Sequence, residues 1–115
     1  MKYKYPRKIQ VGGHNYQVVI KDIHTIIPCD REDCAISGLH TQDKLQLILA
    51  TLCNDGKPRK LSVINAVLWH EITHAIDSIW CGSTLTEEEI DSISQGIFQV
   101  VHQLGFDVIT ELKEA

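Results

Sequence analysis

Five consecutive residues, His70-Glu71-Ile72-Thr73-His74, carry the most definite chemistry in this chain. Side chains four apart on a helix stand one above the other, so the two imidazoles can grip one metal ion together. Glu71 is turned about a hundred degrees from His70 and falls beside such an ion rather than on it. A carboxylate there is placed to take a proton from a water on the metal. The expected chemistry is hydrolysis. The plainer reading is an amphipathic helix with two histidines on its wet edge, but a helix of that kind has no need of a base between them.

A catalytic zinc ion takes three protein donors and leaves a fourth position open. No third histidine follows in H-x-x-G-x-x-H spacing, because Ser78 and Trp80 lie in that stretch. The candidates are the acids further on: Glu87, Glu88, Glu89 and Asp91. A helix continuing to Trp80 runs about 9 Å past His74, and residues 81–86 are long enough to bring the chain back. Acids are also favoured in any first helical turn, where they face the positive end of the dipole. Glu89 pairs with Thr86 as a capping box, which makes it the weakest ligand candidate.

His-Glu-x-x-His followed by Glu-x-x-x-Asp resembles the gluzincin metallopeptidases, the thermolysin-like group. The resemblance covers residues 70–91. It implies Zn2+ held by His70, His74 and Glu87, with Glu71 as general base and Asp91 as the acid that fixes an imidazole tautomer. Glu88 is the alternative third ligand, since the gap after His74 is shorter than in thermolysin and Thr86 replaces the usual Asn. The layout is also similar to very small gluzincin-type proteins of phages and prokaryotes and to ImmA/IrrE-type metallopeptidases. The implied activity is zinc-dependent cleavage of a peptide or protein substrate. The alternative is a phage or mobile-element interaction or regulatory protein that keeps a zinc site with little turnover. Tyr16, His40 and His102 are candidates for an extra donor to the developing oxyanion, each set against an ordinary packing or surface role.

These residues need elements to hold them. Residues 58–80 have helical periodicity, with Leu61, Ile64, Leu68, Ile72, Ala75 and Ile79 on one stripe and Val63, Val67, His70, His74 and Asp77 on the next. The histidines therefore belong at the edge of the buried face. Pro58 suits a first turn and Gly82 a helix end. A second helix starts after Thr86 and ends at Gly105, with Ile90, Ile93, Ile97, Val100, Val101 and Leu104 as its buried face. Phe106 to Ala115 is expected to add a short helical turn.

Upstream, residues 9–20 read as two strands around a Gly12-Gly13 turn. Residues 21–33 read as loop, Ala35–His40 as a strand, and 41–44 as a polar turn. Leu45–Leu52 reads as a further strand, either on a sheet edge where a peptide could add or buried at the centre. The expected fold is α+β: a small N-terminal antiparallel β-sheet (9–52) packed on two antiparallel helices (58–104), in one domain over 1–115.

Composition sets the outer limits. Apolar residues make up 43% and charged ones 23%, an ordinary globular mix. A net charge of -4 gives no reason to expect nucleic acid or an anionic membrane as partner. The basic start, Lys2 to Lys8, is expected to fray. No apolar run is long enough for a membrane span or a secretory signal, so a cytoplasmic location is expected. Cys29, Cys34, Cys53 and Cys81 form no C-x-x-C pair and read as reduced thiols, with a Cys29–Cys34 bridge as the alternative.

Overall fold

In chain order, the computed structural model runs β1 (Tyr3–Lys4), β2 (Lys8–Val11), β3 (His14–Lys21), β4 (Gly38–Thr41), β5 (Gln46–Ala50), α1 (Leu61–Trp80), α2 (Glu87–Gln103) and β6 (Thr110–Glu111). It describes residues 3–23, 38–41, 44–53 and 55–112. The loop expected over 21–33 lies mostly outside these, and Cys29 and Cys34 lie wholly outside. The anticipated α+β layout is present: a small sheet with two helices.

The sheet has the strand order β2-β3-β5-β4. Gly12, at φ +61°, supplies the left-handed turn between β2 and β3, where a side chain would be strained. The outer pairs β2–β3 and β4–β5 are antiparallel, as expected. The central pair departs from that expectation: β3 and β5 run parallel, Val18 beside Leu47 and Ile20 beside Leu49. Parallel neighbours need a long connection, and the chain from 22 to 45 makes it, leaving β4 on the far side of β5. Leu47, Ile48, Leu49 and Ala50 are all buried, so β5 is the central strand and not an edge. Among the described strands β4 is the edge on that side.

One face of the sheet receives α1, which packs on β2, β4 and β5. Tyr16, Leu47 and Leu49 meet Ile64, Leu68, Ile72 and Ala75 in the main core. The helix begins at Leu61, not Pro58. Pro58 instead faces Leu52 in a β-bridge, and Arg59 donates its N–H to the Thr51 carbonyl at 2.7 Å. That short closure holds the proline extended until Lys60.

The second helix covers less than its sequence implies. It packs on α1, with Ile90 and Ser94 buried. Ile93, Val100 and Leu104, expected inside, are 44%, 56% and 63% exposed. A helix that leans on one neighbour buries a narrow stripe, and the apolar residues of α2 are spread wider than that stripe.

The tail also differs from expectation. Instead of a helical turn it runs extended, buries Ile109 completely and pairs β6 with β1, Tyr3 opposite Glu111. Residues 3 and 4 are thereby held in a strand and do not fray. The fastening is Asn65, 1% exposed on α1. Its amide donates to the Ile109 carbonyl at 2.9 Å and accepts the Ile109 N–H at 2.9 Å. Asn65→Ala leaves both the N–H and the carbonyl of buried Ile109 without this partner and is expected to cost about 2–4 kcal/mol in urea unfolding. A loss under about 0.5 kcal/mol would show that the tail docks by apolar burial alone.

Candidate metal centre

The seam between α1 and α2 gathers the chemistry-bearing residues. His70 and His74 stand one turn apart on α1, both half-buried. Beyond Trp80, Gly82 at φ +63° turns the chain, and Ser83 donates its N–H to the Asp77 carbonyl at 3.0 Å, closing the helix end. Thr86 then caps α2: its hydroxyl accepts the Glu89 N–H at 3.1 Å, while Glu89 accepts the Thr86 N–H at 2.9 Å. That capping job holds the Glu89 carboxyl below its usual range, through its bonds from Thr86.

Glu87, the next residue after the cap, turns back onto both imidazoles. Its Oε1 lies 2.6 Å from His70 Nε2 and its Oε2 3.1 Å from His74 Nε2. The three residues present donor atoms within 4.8 Å of one another and could hold a metal ion. The donor set fits: a four-coordinate ion bound at about 2.0–2.1 Å needs its ligand atoms only some 3.3 Å apart, and two imidazoles with one carboxylate suit a divalent transition-metal ion. Asp91, one turn further along α2, places Oδ1 3.5 Å from His70 Nδ1. Glu88 and Glu89 do not join the group. The contacts also give the helix directions, since 70 and 74 meet 87 while the earlier Val63 and Ala66 share a cleft with the later Gln95 and Phe98.

Glu71 is on the other side of His70, 5% exposed. Burial pushes its carboxyl from 4.5 up to about 7; Glu87 adds to the rise, while His70 and the backbone N–H of His40 oppose it. It lines a cleft of about 590 Å3 together with His70, Glu87 and Asp91. The rest of the lining is mixed: Val63, Ala66, Val67 and Phe98 are apolar, and Ser62 and Gln95 are polar. Among the described residues no lysine or arginine lines the cleft.

Two residues that reading the sequence did not single out hold this arrangement. Gly38 in β4 lies flat against α1, where an added Cβ would collide with Val67 and come within 2.8 Å of Glu71 Oε2. A lone glycine inside a strand pattern was the available signal. Asp77, 5% exposed, accepts the N–H groups of Thr84 and Leu85, both at 3.1 Å, and so sets the loop that delivers Glu87. Nothing in its spacing from His70 and His74 announces that task. Among the oxyanion candidates, His40 reaches the site, its ring stacked on that of His74 with centroids 6.4 Å apart, while Tyr16 is buried behind it and bonds its ring. His102 bonds Asp107 at 2.8 Å near the far end of α2.

Comparisons with family profiles, with curated proteins and with solved structures give no match for this chain.

Burial of Glu71 makes the metal-free protein pH-sensitive. Between pH 4.5 and about 7 the folded chain keeps a proton that the unfolded chain has released. Stability therefore falls as pH rises through that window, by roughly 3 kcal/mol from this group. With a chelator present, Glu71→Gln should stabilise the protein at pH 8 by about that much relative to its effect at pH 5. Equal effects at both pH values would refute the shift. Separately, Gly38→Ala should lower unfolding stability by about 1–3 kcal/mol, the cost of forcing a methyl into a closed contact.

Proposed function

We propose that this chain is a zinc-dependent peptide-bond hydrolase of the gluzincin type that its motif resembles. The observation that carries the reading is the placement of Glu71: a buried carboxyl set in a cleft wall beside three convergent donors. A general base must stand within reach of the proton that it takes. A purely structural metal site needs no such group.

His70, His74 and Glu87 would hold the zinc, which when bound would supply Lewis acidity and bring the pKa of a water toward neutrality. Glu71 takes the proton released when water adds to the substrate carbonyl and returns it to the leaving amine nitrogen. Asp91 beside His70 Nδ1 holds that imidazole in the tautomer whose Nε2 faces the ion. An extended peptide lying along β4 would pass Glu71, and the apolar cleft wall at Val63, Val67 and Phe98 would take one of its side chains.

Metal analysis of protein purified without added zinc should give one zinc per chain. Fluorescently labelled casein tests the activity. Glu71→Ala should keep the zinc and lose at least about a hundredfold in cleavage rate. Glu87→Ala should lose the zinc, whereas Glu88→Ala should behave as wild type. Zinc bound by a wild type that cleaves neither casein nor other unfolded proteins would favour a regulatory metal protein. No zinc after loading would end both readings.

A further inference from the structure

We propose that His40, anchored by Tyr16, is a positioning residue of this site, fixing the Glu71 carboxylate and the His74 imidazole relative to each other. The inference rests on reading His70, His74 and Glu87 as metal ligands.

The geometry begins with two neighbouring repeats. Gly38 and His40 are two apart on β4 and present the same face, about 6.7 Å from one to the next. Glu71 and His74 are three apart on α1, about 4.5 Å along its axis. With β4 lying along α1, Gly38 meets Glu71 and His40 meets His74. His40 then touches both functional groups by different means. Its backbone N–H bonds the Glu71 carboxylate. Its ring lies parallel to that of His74, within 4°, at a centroid distance of 6.4 Å.

What orients that ring comes from deeper in the core. Tyr16, on β3 beyond the central strand, is 0% exposed, and its hydroxyl lies 3.1 Å from His40 Nε2. The two rings are 5.2 Å apart and tilted by 47°. A phenylalanine would fill this part of the core as well and would bring no hydroxyl to desolvate. The hydroxyl is useful here because it pins an imidazole that leans on the site. His74 and Glu71 share α1, but a helix alone leaves their side-chain rotamers open. The Tyr16–His40 pair closes that freedom from the sheet side, while Glu87 holds His74 from α2.

Zn2+ alone is a sufficient probe. Tyr16→Phe removes one oxygen and leaves the core filled; His40→Ala removes the ring. Both should bind Zn2+ ten- to a hundredfold more weakly in chelator competition, the range found when a group supporting a metal ligand is lost. The visible absorption bands of the Co2+-substituted protein should shift in both, reporting altered ligand geometry. If both variants bind Zn2+ within twofold of wild type with unchanged Co2+ spectra, the inference is overturned while the metal site stands. A lowered melting temperature with wild-type Zn2+ affinity also overturns it, since that marks a merely structural pair. Failure of wild type itself to bind Zn2+ removes the site and the inference together.

Discussion

The closeness of α1 to β4 is the constraint on which the rest depends. Helix and strand meet where the strand has no side chain, at Gly38, and the space so released holds the Glu71 carboxylate. Water is kept from that carboxylate, and its proton affinity rises in consequence. Had the strand stood farther off, Glu71 would be an ordinary surface acid and His40 would not reach His74. One missing methyl group thus connects sheet packing to acid–base chemistry.

The helix carrying the motif serves two neighbours. Its inner stripe, Ile64, Leu68, Ile72 and Ala75, is committed to the sheet, and its flank to α2. His70 and His74 sit on the border between these contacts, which is why each is half-buried and able to face a small ion. The loop to α2 is short and tightly bonded, with both the carbonyl and the carboxylate of Asp77 in use. Glu87 is therefore delivered by a stiff joint, not by a flexible arm. Among the described residues no buried side-chain nitrogen or oxygen lacks a partner, so the polar interior is closed around this seam.

Short-range patterns made much of this legible beforehand. The motif helix, its end at Gly82, the Thr86–Glu89 cap and the hairpin at Gly12 are each written in spacings of two to four residues, and such local rules act wherever the chain goes. Glu87 was separable from Glu88 only by resemblance, because two neighbouring acids differ in direction and not in type. The parallel pairing of β3 with β5, the docking of Ile109 on Asn65 and the Tyr16–His40 bond join positions far apart in the chain. No periodicity encodes such partners; they follow from which surfaces remain after local elements form. The wide apolar face of α2 misled for a related reason, since periodicity marks what is apolar but not what will cover it.

The Asn65–Ile109 fastening has a consequence for the order of assembly. The helix pair at the seam joins segments close in sequence, so its loops close at little entropic cost and early. The tail must reach back 44 residues to Asn65 and almost the whole chain to β1, closures that cost more entropy. Asn65 is little more than one turn from His70, so the final knot is tied on the helix that presents the imidazoles. Peeling the tail away would therefore loosen the base of that helix while the α1–α2 joint still held. The last segment to settle is in this sense a clasp, and the rigidity of the seam is borrowed from the far end of the chain.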